Sequence, residues 1–235
     1  MSATSPATHT STADMSVTSQ VLPGGVLVTE HTLSVPLDHA APDGEALTIF
    51  VREVVKVGKE KDASLPYLLF LQGGPGFAAP RVGAPPSGWL KVALESHRVL
   101  LLDQRGTGRS TPATPQQLGS LGAPAQQAGY LSLFRADAIV KDCELVRARV
   151  AGGKKLTLLG QSFGGFCILS YLSFFPDAIE RALFTCGLAP VGQQIENVYR
   201  ATFKRMEKRC ARFYKRYPAD VRYLSIYLYI DRSIY

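Results

Sequence analysis

Hydrophobic residues in the central part of the chain occur in short continuous runs. These runs lie at residues 67–71, 99–102, 156–159 and 182–185. Runs of this kind are typical of parallel strands that are covered on both faces. Earlier in the chain, apolar and polar residues alternate over 26–37 and 47–57, and turn-forming residues at 39–44 separate the two stretches. This alternation predicts an antiparallel β-hairpin.

Helical patterns lie between the apolar runs. They cover residues 89–95, 133–150 and 163–175, and Pro176 ends the last of them. Strands that alternate with helices predict an α/β fold with right-handed crossovers. The expected architecture is a mostly parallel sheet of six strands that begins with the antiparallel hairpin.

Composition favours a soluble cytoplasmic protein with one sizeable core. The chain has 235 residues, of which 46% are hydrophobic, and its longest apolar runs are far shorter than a membrane span. Its four cysteines include no Cys-x-x-Cys pair, so we expect reduced thiols and no zinc site. Serine and threonine make up half of residues 1–20, which predicts a disordered N-terminus without a secretory signal.

The formal net charge of +7 is concentrated in one basic stretch near residues 204–216. Apolar residues recur there at helical spacing: Phe203, Met206, Cys210, Phe213 and Tyr217. This spacing predicts an amphipathic helix with a solvated basic face. A phosphate-binding surface is the weaker interpretation, because no nucleic-acid motif accompanies the charges.

The segment Gly160-Gln161-Ser162-Phe163-Gly164 carries the most specific chemical signal in the chain. A predicted strand precedes it and a predicted helix follows it. This is the pattern of a nucleophile elbow, in which a strained turn exposes a serine hydroxyl above the sheet. Although Gly-x-Ser-x-Gly also occurs by chance, this context indicates that Ser162 is a nucleophile.

Two further loops follow predicted strands and therefore lie at the same edge of the sheet. In the loop Gln72-Gly73-Gly74-Pro75-Gly76, the backbone N–H of Gly74 is a candidate oxyanion donor. Its expected partner is the N–H of Phe163, directly after the nucleophile. The second loop, residues 103–110, predicts a braced turn with an architectural role, although Arg105 is also a candidate for shaping the pocket.

Three blocks of sequence, at 70–77, 101–112 and 160–165, resemble the proline iminopeptidases (prolyl aminopeptidases) of the α/β-hydrolase superfamily. The resemblance covers roughly residues 26–220, and it departs at Gln72, where many relatives have histidine. It implies an α/β-hydrolase fold and release of N-terminal proline from peptides through an acyl-enzyme on Ser162. It also implies no metal or organic cofactor. The absence of a nucleic-acid motif and of a membrane-length apolar run predicts neither a nucleic-acid nor a membrane partner, and the oligomeric state stays open.

The family order of triad residues is serine, then an acid, then histidine, and the chain departs from it. All histidines precede the serine: His9, His31, His39 and His97. The aspartates that follow the serine lie at no recognisable strand end: Asp177, Asp220 and Asp231. We therefore assign neither a triad acid nor a triad base.

The missing triad residues predict a chain truncated at its C-terminus, without the late strands of the family. The expected organisation is an incomplete core over 21–190, followed by the start of a helical cap and a divergent tail over 191–235. Such a chain is expected to be inactive alone. An esterase of broader specificity and a non-catalytic binding fragment remain as alternatives.

Overall fold

The computed structural model describes residues 15–83, 85–186 and 191–220, which divide into two compact units. The first unit contains all strands described. They are β1 (Met15–Leu22), β2 (Val26–Pro36), β3 (Ala46–Lys56), β4 (Tyr67–Leu71), β5 (Arg98–Asp103), β6 (Leu156–Gln161) and β7 (Ile179–Thr185). Its helices are α1 (Gly88–Ala93), α2 (Pro115–Ser120), α3 (Pro124–Ser132), α4 (Ala136–Arg149) and α5 (Phe163–Phe174), followed by a 3₁₀ turn at Pro176–Ala178.

The strands form one sheet in the order β1-β2-β3-β5-β4-β6-β7. β1, β2, β3 and β5 are joined by antiparallel pairing, whereas β4 pairs in parallel with β5 and β6, and β6 pairs in parallel with β7. The predicted hairpin and the predicted parallel strands are both confirmed. The carboxyl ends of β4, β5 and β6 consequently meet at one edge of the sheet.

Hydrophobic layers cover both faces of the central strands. In β5, Leu100 and Leu102 pack into the layer that includes α4 and α5, while Val99 and Leu101 pack into the layer that includes α1. Each of these four side chains is fully buried. Burial on alternate sides explains why the central strands have continuous apolar sequences.

Strand β1 lies where the composition had predicted disorder. It covers residues 15–20 of that segment and pairs with β2 from Met15 opposite Leu33 to Leu22 opposite Val26. Its side chains are almost all exposed, so it carries no apolar signal, and backbone pairing to β2 holds it. The described sheet therefore has seven strands rather than six, and residues 1–14 lie outside the described part.

The second unit contains the helix α6 (Ile195–Arg216). Its bounds include the basic stretch, so the predicted amphipathic helix is confirmed. Among the described residues, no helix is both long enough and apolar enough to cross a membrane. The tail at 221–235 lies outside the described residues.

Candidate active site

Ser162 occupies a sharp turn between β6 and α5. Its φ of 50° and ψ of −113° place a non-glycine residue in a sparsely populated region of backbone conformation. Such a conformation costs about 1–3 kcal/mol and persists only where neighbouring contacts enforce it. Here the Ser162 N–H donates to the Thr185 carbonyl at 3.0 Å, and the Gly165 N–H donates to the Ser162 carbonyl at 2.9 Å. The serine is only partly buried.

Two glycines allow this turn to pack against its neighbours. A Cβ atom on Gly160 would lie 2.6 Å from the carbonyl oxygen of Gly164. A Cβ atom on Gly164 would collide with the carbonyl group of Leu71 at the end of β4. The spacing of glycines around Ser162 is therefore a steric requirement of this turn.

The loop at residues 72–76 lies directly against the Ser162 turn. A Cβ atom on Gly73 would lie 3.1 Å from Cβ of Ser162 and 3.0 Å from the carbonyl oxygen of Gln161. The Gly73 N–H donates to the side-chain oxygen of Gln72 at 2.9 Å, and the Gln104 amide donates to the Gln72 carbonyl at 3.1 Å. These bonds fix the loop beside the serine.

The backbone amides of Gly74 and Phe163 remain available for a ligand. Phe163 is the first residue of α5, where an amide has no acceptor within its own helix. Across residues 15–83, 85–186 and 191–220, neither amide donates a hydrogen bond to a protein group. Gly74 is also exposed, whereas the Gly73 N–H is already occupied.

The loop at 103–110 has the bracing role predicted for it. The two carboxylate oxygens of Asp103 accept the N–H groups of Ala79 and Arg109, each at 2.9 Å. The Ser110 hydroxyl donates to the Asp103 carbonyl and accepts the Phe50 N–H. These contacts tie β5, β3 and the loop after β4 into one rigid edge.

Arg105 is a structural residue of the interior rather than a pocket residue. Its guanidinium binds both carboxylate oxygens of Asp142 at 2.7 and 2.6 Å. It also contacts His39 Nε2 at 2.9 Å and donates to the carbonyls of Pro36, Leu37 and Leu133. Sequence analysis missed this cluster because Asp142 lies 37 positions away on a helix.

The histidines of the described residues all bond to groups other than Ser162. His31 contacts Glu53 at 3.0 Å, His39 contacts Asp142 at 2.9 Å, and His97 contacts Ser96 at 2.9 Å. His9 lies outside the described residues. Asp177 is exposed in the turn after α5, Asp220 lies in the second unit, and Asp231 lies outside the described residues. Within the described residues, the serine thus has no histidine partner.

The buried thiols offer no alternative nucleophile. Burial raises the pKa of Cys167 to about 12, and burial also raises the pKa of Cys143 well above its ordinary value. A protonated, buried thiol is inert. In the described part of the chain, no group of three His, Cys, Asp or Glu residues is placed to hold a metal ion.

Comparison with known proteins places the chain in a family. Residues 66–228 match the family model of the alpha/beta hydrolase fold. A proline iminopeptidase of Aeromonas sobria is 50% identical over 195 residues, which cover 83% of this chain and 45% of that protein. A proline iminopeptidase of Aspergillus aculeatus is 38% identical over 209 residues, which cover 85% of this chain and 45% of that protein.

A tripeptidyl aminopeptidase of Streptomyces coelicolor is more distant, at 26% identity over 69% of this chain and 36% of that protein. The chain thus spans slightly less than half the length of each of the two proline iminopeptidases, at 45%. Because the family model matches more than half of its residues, the chain belongs to the α/β hydrolase fold family.

Proposed function

We propose that the protein is a serine hydrolase of the aminopeptidase type, which releases N-terminal proline from peptides through an acyl-enzyme on Ser162. The observation that carries this proposal is the strained backbone of Ser162, with φ of 50°, at the junction of β6 and α5. The similarity to two proline iminopeptidases supports the choice of substrate. The free, buried thiols Cys143 and Cys167 favour a reducing, cytoplasmic setting.

In the proposed reaction, Oγ of Ser162 attacks the carbonyl carbon of the N-terminal prolyl residue while a general base removes the hydroxyl proton. The C–N bond then breaks, and the leaving amine takes that proton. Water attacks the resulting ester, which releases proline and restores the serine hydroxyl.

The tetrahedral oxyanion would be held by the N–H groups of Gly74 and Phe163. Both amides lie in the segments that flank the serine hydroxyl, and both lack a protein acceptor in the described part of the chain. The positive end of α5 adds to the stabilisation at Phe163. Loss of one such donor costs about 3 kcal/mol of transition-state free energy, or about a hundredfold in rate.

The general base is the part of this site that the described residues do not supply. We propose that residues 1–235 carry the nucleophile and the oxyanion donors and are without significant turnover by themselves. A site that lacks its base and acid retains only about 10³–10⁴-fold catalysis over water.

A chimera tests the proposal directly. Residues 26–220 would replace the matching segment of the Aeromonas sobria proline iminopeptidase, whose remaining sequence then completes the chain. The chimera should hydrolyse prolyl p-nitroanilide, and Ser162→Ala should lower kcat by about 10⁶-fold, as removal of a catalytic serine does elsewhere. A folded chimera that turns over prolyl anilide equally well with and without Ser162 would contradict the assignment.

The esterase alternative is tested with the same chimera. Its kcat/KM for the prolyl anilide is compared with that for an aryl acetate ester, for which no proline site is needed. A preference for the prolyl substrate supports the peptidase. Equal or better turnover of the simple ester would favour a hydrolase of broader specificity.

A further inference from the structure

Three arginines and one glutamate line a cavity of about 340 Å³ in the first unit. Arg52 lies on β3, Glu30 lies on β2, Arg109 belongs to the loop after β5, and Arg81 belongs to the loop after β4. Gln20 and three apolar residues, Leu22, Val28 and Val82, also line the cavity. The lining therefore carries three positive charges and one negative charge.

An aromatic ring orients two of the guanidinium groups. The guanidinium carbon of Arg109 lies 3.9 Å from the centroid of the Phe50 ring, and that of Arg52 lies 4.6 Å from it. Phe50 itself is buried in the sheet. Stacking on a fixed ring restricts the conformations of both arginines before any ligand arrives.

In the described part of the chain, most side-chain hydrogen-bond donors of these arginines have no protein acceptor. Each guanidinium carries five donors. Arg109 Nη1 donates to Glu30 at 2.7 Å, but Arg52 approaches Glu30 and Asp103 only to 3.8 and 3.6 Å, which is too far for a hydrogen bond. Nη1 of Arg52 is buried and has no hydrogen-bond partner among residues 15–83, 85–186 and 191–220.

Two carboxylates, Glu30 and Asp103, lie within ion-pair distance of these arginines, so three positive charges face two negative charges. Asp103 also accepts a backbone N–H at each of its oxygens, and Glu30 is the one carboxylate among the described residues that line the cavity. Within the described residues, Arg81 is exposed and makes no hydrogen bond or ion pair through its side chain. An anion in the cavity would balance the remaining positive charge.

We propose that this cavity is a binding site for a small oxyanion, either a carboxylate or a phosphate. Arg109 and Arg81 would hold the anion, and the more deeply buried Arg52 would add its charge. Guanidinium groups form paired, charge-assisted hydrogen bonds to both anions. The described residues that line the cavity include none from the Ser162 turn or from the loop at 72–76, and β3, which carries Arg52, is three strand spacings from β6, or about 14 Å. The anion site does not depend on the proposed peptidase activity.

Isothermal titration of the full chain with inorganic phosphate and with succinate, at constant ionic strength, tests the site. Arg109→Gln and Arg81→Gln should each weaken binding about tenfold, because each removes a charge-assisted contact. Glu30→Gln should strengthen binding severalfold, because it removes the competing carboxylate. Arg209→Gln on α6 is the control: it changes the net charge by the same amount outside the cavity and should change affinity less than twofold.

Binding of phosphate alone would identify a phosphate site, and binding of succinate alone would identify a carboxylate site. Saturable binding of neither anion would overturn the proposal. Equal weakening by Arg109→Gln and Arg209→Gln would also overturn it, since the attraction would then be diffuse. Because the Arg81 side chain is exposed, Arg81→Gln keeps the test valid even if Arg109→Gln unfolds the protein.

Discussion

Replacement of Arg105 by leucine is expected to destabilise the first unit strongly. The guanidinium is fully buried and makes six polar contacts: two to Asp142, one to His39 and three to backbone carbonyls. Asp142 is 1% exposed, so Arg105→Leu leaves a carboxylate in the interior without its cation. Removal of one partner of a buried ion pair costs about 3–5 kcal/mol.

Urea unfolding followed by circular dichroism measures this loss. With a slope of about 1–3 kcal/mol per molar urea, the midpoint should fall by at least about 1 M. Arg135→Leu is the matched control, because that exposed arginine lies at the start of α4 and its side chain makes no capping bond. Its effect should stay within about 0.5 kcal/mol.

The double variant Arg105→Leu with Asp142→Leu isolates the interaction between the two charges. It should be more stable than the sum of the single effects predicts, because it leaves no unpaired charge. If Arg105→Leu alone changed the free energy of unfolding by less than about 1 kcal/mol, the assigned role of this cluster would be refuted.

Further predictions concern the turn, acid stability and thiol reactivity. Gly164→Ala should lower the melting temperature by several degrees, since its Cβ would collide with the backbone at the end of β4, whereas Gly129→Ala on α3 meets nothing within 4 Å and should not. Burial alone would raise the pKa of Glu53, but hydrogen bonds from a histidine and an arginine hold it below its ordinary value of 4.5. Ionised Glu53 therefore stabilises the fold above pH 4.5, and this stabilisation is lost as the pH falls through the lower pKa of the folded state. In Glu53→Gln, the urea midpoint should consequently fall less steeply as the pH is lowered. Iodoacetamide should label Cys186, which is exposed, and spare Cys167 in the native protein, as mass spectrometry of tryptic peptides would detect; equal labelling of both would contradict the described burial.

The parts of the fold that could be predicted are those in which the local order of apolar and polar residues reflects which side chains are buried. Continuous apolar residues at 99–102 and 156–159 predicted β5 and β6 because both faces of these strands are covered. β1 could not be predicted, because its side chains are almost all exposed and its pairing with β2 is a contact that local sequence does not encode. The position of β5 between β3 and β4 likewise depends on long-range pairing that local patterns do not encode.

The candidate functional residues likewise divide into those that local sequence predicts and those that only the folded chain brings together. The turn at Ser162 was predictable because its glycines are needed at fixed spacing from the serine. The arginine cavity was not, since Arg52, Arg81 and Arg109 come from a strand and two separate loops. Only the folded sheet brings those charges together.

The hydrogen bond from Ser162 to Thr185 couples the strained turn to β7, the last strand of the described sheet. The Thr185 hydroxyl also donates to the Gly160 carbonyl at 3.2 Å, so the last residue of β7 holds the turn on two sides. In the described part of the chain, β7 is bonded along only one of its sides, to β6. Fraying of this strand would release the serine amide and let its backbone relax. The strained conformation of the Ser162 turn therefore depends on the pairing of the last described strand.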